Sequence, residues 1–270
     1  MGKIVVYILT KNRRDNVVYT LSNVFYRKYF IVNYITMEDN IDISKRKQSR
    51  TRDDKDSKIT EKLDVKNNTI IKRINSALRK SEKYHPSLHT IVIKDSSVCN
   101  VDADDLYSIL KTSRKINNWD ICYLCKWWDE CDLYENIKMT HINGSESIEL
   151  VKTYSPHGLQ ALMFSPHGRN RFLGIMPMVD GDYFTPIDEP LDKKLNKYIN
   201  DEKLNAITYS KNIFSFNPSM IKKNEDLIKF TMCRPKRKHK DEALDIFLYI
   251  TIVGITAIIL ICFHQLRKNL

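Results

Sequence analysis

The sequence lacks the features that define several common classes of protein. Its amino-terminal apolar run, residues 4–9, is too short for a secretory signal and is soon followed by charged residues. There is no zinc-finger spacing, no RNP-like aromatic motif and no helix-turn-helix pattern. The net charge of +11 therefore does not by itself indicate nucleic-acid binding, and we expect no nucleic-acid partner.

The six cysteines do not form the evenly distributed pairs of a disulfide framework. The spacing of Cys122, Cys125 and Cys131 invites a zinc interpretation. Against it, residues 119–125 are predicted to form a strand, in which side chains three positions apart point to opposite faces. A cytosolic domain would also keep its thiols reduced. We therefore expect free cysteines and no zinc site.

A long uncharged run lies near the carboxyl terminus, at residues 246–263. At about 1.5 Å per residue, a helix of this length just crosses a hydrocarbon core of roughly 30 Å. The heavier basic flank precedes the run, at residues 234–240, so the positive-inside tendency places the large amino-terminal part in the cytosol. This predicts a single-pass, tail-anchored membrane protein. A buried core helix is the alternative, although it suits shorter runs better.

Four parts make up the predicted organisation. They are an α/β domain at residues 1–225, a basic juxtamembrane linker at 226–245, the anchor at 246–263 and a short tail at 264–270. Inside the domain, residues 38–66 are mostly charged and contain no aromatic residue, so we expect an exposed, mobile insertion.

Strand and helix patterns alternate along the domain. Strands are predicted at residues 3–10, 29–36, 89–93, 121–124 and 158–164, and helices at 15–25, 69–83, 102–115 and 166–172. This alternation predicts a mainly parallel sheet with helices on both faces. The pattern becomes irregular and polar at residues 127–149, where no regular element is predicted.

Acidic residues that directly follow a strand are the first candidates for chemistry, because ligands of open α/β sheets bind at the carboxyl ends of the strands. Asp95 stands two residues beyond a buried strand, where a carboxylate can bind the divalent cation of a nucleoside diphosphate. A turn aspartate that accepts from nearby backbone amides is the alternative.

A second acidic cluster at residues 179–188 contains Asp180, Asp182 and Asp188. One of these carboxylates can serve as a general base toward an acceptor hydroxyl, or all three can be solvated loop residues. His157 and His167 each stand in a Ser-Pro-His-Gly segment, where a turn role is the simpler interpretation.

The order of these segments resembles glycosyltransferase family 25, which contains bacterial lipopolysaccharide sugar transferases and collagen galactosyltransferases. Residues 6–15 (VYILTKNRRD) are similar to the family's opening strand and basic turn, and residues 91–96 (IVIKDS) fall where the family has Leu-Glu-Asp-Asp. Residues 118–124 (NWDICYL) resemble its Trp-Asp strand, and residues 186–188 (PID) match its Pro-x-Asp. The resemblance covers residues 3–218.

The resemblance implies a GT-A type fold that transfers a sugar from a nucleotide-sugar donor, with UDP as the expected nucleotide, to a hydroxyl of a glycan or protein acceptor. It implies that Asp95 binds Mn²⁺ or Mg²⁺ and that Lys94 offsets the diphosphate charge. It places Arg13 and Arg14 near the donor's anionic end. The residues that we expect near the acceptor are Asp188, Asp180 and Asp182.

The main departure from the family pattern is the smaller number of acidic residues at the position of the Leu-Glu-Asp-Asp motif. Where the family has two or three consecutive acids, this chain keeps Asp95 between Lys94 and Ser96. Asp102 and Asp104 have the Asp-x-Asp spacing of metal-dependent sugar transferases, but they open a predicted helix and suit helix capping.

A catalytically degenerate GT-A fold is therefore the alternative, as a membrane or virion envelope protein that binds anionic glycans or a protein partner. An anchored domain of this kind resembles, in architecture only, a poxvirus envelope protein whose transferase fold serves attachment. The richness in Lys, Asn and Ile suits the AT-rich genome of a large DNA virus.

Overall fold

A computed structural model of the protein describes residues 2–11, 16–36, 57–142, 146–185, 189–216 and 232–234. The chain separates into two units, Met1–Arg234 and Pro235–Leu270. The second unit lies outside the described residues, and with it the predicted anchor at residues 246–263. Within the described ranges, none of the helices combines the length and the apolar character that a membrane crossing requires.

The described strands, in chain order, are β1 Ile4–Leu9, β2 Phe30–Ile35, β3 Thr90–Lys94, β4 Ser97–Cys99, β5 Ile121–Trp127, β6 Glu135–Ile142, β7 Glu146–Lys152, β8 His157–Phe164, β9 Ala206–Tyr209 and β10 Phe214–Phe216. Eight of them form one sheet in the order β2-β1-β3-β8-β5-β9-β7-β6, while β4 and β10 pair separately. Strands β1, β2, β3, β5 and β8 lie where β-branched and apolar runs predicted them.

The described sheet is mixed rather than mainly parallel. Strand β1 is parallel to β2 and β3, and β5 is parallel to β9. Strand β8 lies between β3 and β5 and is antiparallel to both, and β7 is antiparallel to β6 and β9. The α/β class is confirmed. The expected strand direction is wrong for β8, because an apolar run indicates a buried strand without indicating its direction.

The described helices of more than one turn are α1 Asn16–Asn23, α2 Ser57–Tyr84, α3 Ala103–Ser113, α4 Pro166–Phe172 and α5 Leu191–Asn200. Alternate side chains of β1 enter two hydrophobic cores, one on each face of the sheet. Helices α1 and α3 contribute to the first core, and α2, α4 and α5 to the second. The expected covering of both faces by helices is confirmed.

Helix α2 is longer than the sequence predicted. It begins at Ser57, inside the segment expected to be a mobile insertion, and residues 38–56 of that segment lie outside the described residues. The apolar spacing that identifies a helix starts only near Ile70, and Ile70 and Ile71 pack in the second core. Neither Gly nor Pro interrupts residues 57–69. Once the packed part of the helix has formed, its extension through residues of ordinary propensity therefore costs little.

A hairpin of β6 and β7 occupies the stretch for which no regular element was predicted. The two strands pair from Glu135 with Lys152 to Ile142 with Glu146. Strand β6 is an edge strand whose first residues are exposed. At its first residues, neither face of β6 is deeply buried. The sequence there therefore shows little of the alternation of apolar and polar residues that indicates a half-buried strand.

Candidate functional site

The carboxyl edge of the sheet contains its topological switch point, between β1 and β3. After β1 the chain passes through α1 to β2 on one side, and it then returns through α2 to β3 on the other side. Loops that leave such a point in opposite directions open a crevice, the usual position of the ligand in open α/β sheets. Leu9 and Lys94, the last residues of β1 and β3, are paired at this point.

Asp95 lies at the switch point. Its backbone N–H donates to the carbonyl of Leu9 at 3.1 Å, and its carboxylate Oδ2 accepts from the backbone N–H of Lys11 at 3.3 Å. The carboxylate is therefore directed at the turn that follows β1. The Lys11 contact is also the kind that a turn aspartate makes. Arg13 and Arg14, from the same turn, lie outside the described residues.

Lys94 brings a cation to the same edge. Burial lowers the pKa of Lys94, and the carboxylate of Asp192 is the strongest of the charges that oppose this shift, ahead of Asp95. The ammonium group thus lies within electrostatic reach of two carboxylates. A partly desolvated ammonium group of this kind is suited to offset the charge of an anionic ligand.

Arg73 of α2 is a functional candidate that the sequence reasoning missed. Its Nη2 donates to the carbonyls of Thr10 and Ile35 at 2.8 and 3.0 Å, which joins the ends of β1 and β2. Burial lowers the pKa of Arg73, and the charge of Asp95 opposes that shift. One signal in the sequence could have identified it: Arg73 lies three residues after Ile70, on the apolar face of a predicted helix, where a charged residue is unusual.

Asp192, near the start of α5, completes this edge with His157. One carboxylate oxygen accepts from the backbone N–H of Gly158 at 2.6 Å, and the other lies 3.4 Å from His157 Nδ1. Gly158 has a φ of 128°, and a Cβ there would lie 2.9 Å from the ring of Trp127. The glycine therefore permits the close approach of β8 to β5 that brings His157 to Asp192.

The short segment at residues 232–234 packs against this region. The backbone N–H of Asp129 donates to Met232 at 3.0 Å, and that of Arg234 donates to Asp129 at 2.9 Å. The guanidinium group of Arg234 contacts Glu130 at 2.9 Å and His157 Nε2 at 3.4 Å. Because arginine only donates, Nε2 accepts, which assigns the proton of a neutral His157 to Nδ1, facing Asp192.

A disulfide joins Cys131 to Cys233, with the two Cα atoms 5.5 Å apart. The expectation that all cysteines are reduced is therefore wrong for this pair. The half-cystines lie 102 residues apart in sequence. Only the fold brings them together, through the pairing of Asp129 with residues 232–234.

Cys122 and Cys125 are buried free thiols. The pairing of β5 with β8 shifts register after Tyr123, and both cysteines belong to the same hydrophobic core. The argument that they point to opposite faces was therefore wrong. Burial raises the pKa of Cys125 to about 12 and raises that of Cys122 further. Within the part of the chain that the structure describes, no three carboxylate, imidazole or thiol groups converge as a metal site.

A buried lysine supports the ends of β5 and β9. The Lys126 ammonium group donates to Thr208 Oγ1 at 3.0 Å and to the carbonyl of Tyr209. Burial lowers its pKa to about 8, with Asp129 as the main opposing charge. Asp129 in turn accepts from Thr153 Oγ1 at 2.7 and 2.8 Å. This network positions the chain just before the disulfide.

Asp180 and Asp182 do not lie with Asp95. Both contact Lys203, at 2.5 and 3.4 Å, and hydrogen bonding from Lys203 lowers the pKa of Asp180. Lys203 follows α5 and precedes β9, at the edge where the parallel strands begin. The ten residues of α5, a length of about 15 Å, separate this edge from Asp192. The prediction that Asp180 or Asp182 acts beside Asp95 is thus not supported by their positions. Asp188 lies outside the described residues.

The described part of the chain is an α/β domain with a mixed sheet and a group of ionisable side chains at its switch point. No family model matches the chain. No curated protein matches it either.

Proposed function

We propose that the carboxyl edge of the sheet between β1 and β3 binds the diphosphate of a nucleotide-linked sugar, and that the protein transfers this sugar to a hydroxyl acceptor. The position of Asp95 carries the proposal. Its carboxylate lies at the switch point, against the turn after β1, as the resemblance to family 25 and its GT-A fold implies. The donor expected from that resemblance is a UDP-sugar.

The charges at this edge suit the donor. Lys94 supplies a partly desolvated cation beside Asp95, and Arg73 joins the ends of β1 and β2. A cation that is poorly hydrated interacts more strongly with phosphate oxygens than a fully solvated one. In the proposal, Arg13 and Arg14 of the turn after β1 contribute further positive charge.

A divalent cation fits this edge only in part. Asp95 offers one carboxylate, and Lys94 stands where the family pattern has another acid. Mn²⁺ or Mg²⁺ bound there would take its remaining oxygen ligands from the phosphates and water. The ion would neutralise the leaving diphosphate. We therefore expect the donor to bind more tightly with the ion, while Lys94 provides weaker binding without it.

His157 is the proposed base on the acceptor side, in addition to the predicted Asp188. With its Nδ1–H directed to Asp192, Nε2 can accept the hydroxyl proton as the acceptor oxygen attacks the anomeric carbon. The bond between that carbon and the diphosphate oxygen breaks, and the nucleoside diphosphate leaves. Arg234 contacts Nε2 at 3.4 Å, so the acceptor must first displace this contact.

A membrane location is part of the proposal. The uncharged run at residues 246–263 is long enough to anchor the chain. The basic residues before it favour an orientation of the domain toward the cytosol, whereas the disulfide between Cys131 and Cys233 favours an oxidising compartment. The alternative location is the virion membrane of a large DNA virus.

The second candidate is a degenerate transferase fold that binds anionic glycans or a protein partner. The observation that favours it is the replacement of an expected acid by Lys94, which leaves one carboxylate at the switch point. A fold that no longer needs a metal can tolerate that change.

Thermal unfolding of the full-length chain in detergent separates the two candidates. At a ligand concentration about 100 times Kd, UDP with Mn²⁺ should add about 2.7 kcal/mol to the free energy of unfolding. Asp95→Ala should reduce the response to the smaller one that UDP gives without Mn²⁺. Asp180→Ala is the matched control, because it removes a carboxylate from the opposite edge and should leave the response intact. Stabilisation by heparin and none by UDP would support the degenerate fold and refute the transferase.

A further inference from the structure

A second cleft lies at the opposite edge of the sheet, where β3, β5 and β9 begin. Its volume is about 530 Å³, within the range of roughly 300–1,000 Å³ that is usual for small-molecule sites. This amino-edge cleft is lined by residues 89, 114, 116–120, 165–167, 171 and 205. The length of β3, five residues or about 17 Å, separates it from Asp95. It is therefore distinct from the candidate site at the switch point.

The balance of charge in the amino-edge cleft is positive. Asp120 is the one carboxylate among the lining residues. Its oxygens lie 2.9 and 3.1 Å from Arg171 Nη1, and one also accepts from the backbone N–H of Asn205 at 2.9 Å. Arg171 and Asp120 thus neutralise each other. Arg114 has no carboxylate partner among the described residues, and its Nη1 donates to the carbonyl of Gly2 at 2.7 Å.

Two polar atoms of the amino-edge cleft are withdrawn from solvent without a protein partner in the described structure. They are Nε of Arg114 and Nδ1 of His89. Buried polar atoms usually form hydrogen bonds, and an exception often marks the place of a water molecule or a ligand. Burial and the nearby Arg114 lower the pKa of His89 to about 4. A neutral imidazole can place its proton on Nδ1 and donate to an acceptor atom.

The remaining surface of the amino-edge cleft favours a small polar ligand. Asn117 and Asn118 line it as exposed residues, and Asn118 has a φ of 65° in the turn before β5. Trp119 is buried against His89, with ring centroids 5.4 Å apart. The tryptophan therefore supports the imidazole and does not itself offer an open stacking surface.

We propose that the amino-edge cleft binds a small molecule that carries an oxyanion, a phosphate or a carboxylate, through the guanidinium group of Arg114. His89 and the amides of Asn117 and Asn118 donate to the rest of the ligand. The volume of the cleft exceeds what inorganic phosphate fills, so the ligand has about the size of a monosaccharide phosphate. The proposal is independent of the transferase activity.

Isothermal titration of the full-length chain in detergent tests this site with three probes, namely inorganic phosphate, glucose 6-phosphate and citrate. We expect saturable binding, with glucose 6-phosphate tighter than phosphate, and at least tenfold weaker binding in Arg114→Gln. Tighter binding of citrate than of glucose 6-phosphate would identify a carboxylate ligand. Lys115→Gln is the matched control, because it removes the neighbouring exposed charge, and it should change Kd less than twofold. Asp95→Ala should have no effect.

The imidazole of His89 provides a second measurement that needs no substitution at Arg114, which also holds Gly2. In ¹⁵N spectra of the wild-type chain, the Nδ1 resonance of His89 should shift during titration and saturate at the calorimetric Kd. The proposal is overturned if none of the three probes binds saturably. It is also overturned if Lys115→Gln weakens binding as much as Arg114→Gln, or if His89 does not respond.

Discussion

Replacing both Cys131 and Cys233 by serine should lower the free energy of unfolding by about 2–5 kcal/mol. The disulfide joins residues 102 positions apart, and the chain-entropy model gives about 4.7 kcal/mol for a closed loop of about 100 residues at 25 °C. The lower part of the range applies if the unfolded chain retains structure. Serine at both positions removes the cross-link without leaving an unpaired thiol.

Removal of the disulfide should first release residues 232–234 from the rest of the domain. Without the cross-link, this segment is held by two backbone hydrogen bonds to Asp129 and by the side-chain contacts of Arg234. Each such bond contributes roughly 0.5–1.5 kcal/mol net, similar to the 1–2 kcal/mol that ordering one residue's backbone costs. Release of Arg234 would then also leave His157 without its Nε2 contact.

Urea denaturation followed by far-UV circular dichroism provides the assay, on the full-length chain in detergent with and without dithiothreitol. With an m value of about 3 kcal/mol/M, the midpoint of the double variant should fall by roughly 1 M. Reduced wild-type protein should match the double variant. Cys99→Ser, which changes a thiol that is free in the structure, should keep the wild-type response to the reductant. An oxidised wild type and a double variant with equal midpoints would refute the reasoning.

Three further substitutions test the described interactions. Gly158→Ala should destabilise by about 1–3 kcal/mol in thermal unfolding, because a φ of 128° and the ring of Trp127 oppose a Cβ; an unchanged Tm would contradict this. Burial lowers the pKa of Lys126 from 10.5 to about 8 in the folded state. Between pH 8 and 10.5 the unfolded state therefore binds more protons than the folded state. Relative to Lys126→Met, wild-type stability should therefore rise across that window by on the order of 3 kcal/mol, and parallel pH profiles of the two proteins would exclude this. Asp120→Asn should cost about 3–5 kcal/mol in urea unfolding, because it leaves the charge of Arg171 without its partner; a loss below 1 kcal/mol would show that the pair is solvated.

The central strands and Asp95 could be predicted from the sequence because their signal is local. Residues 3–10 and 89–93 are short apolar runs, rich in β-branched residues, that end in polar residues, and runs of this length and composition indicate buried strands. In a parallel sheet, the residues that follow the strands lie at one edge, so Asp95 and the turn after β1 were expected at the same edge. That they are neighbours depends on the pairing of β1 with β3.

The side-chain pairs of the site could not be predicted, because each pair joins segments that are distant in sequence. Asp192 meets His157 across 35 positions, and Cys131 meets Cys233 across 102. The acidic cluster at residues 179–188 looked like one group in sequence. In the fold, Asp180 is held by Lys203 at the edge opposite Asp95. Spacing along a loop carries no information about the edge at which each carboxylate will lie.

The central claim is that a nucleoside diphosphate binds between β1 and β3 beside Asp95. A crystal structure of the chain with UDP and Mn²⁺ measures this most directly. We predict the diphosphate within hydrogen-bonding or ion-pairing reach of the turn after β1 and of Lys94, with the metal ion at the carboxylate of Asp95. A nucleotide bound elsewhere, with an unliganded Asp95 carboxylate that still accepts from Lys11, would contradict it.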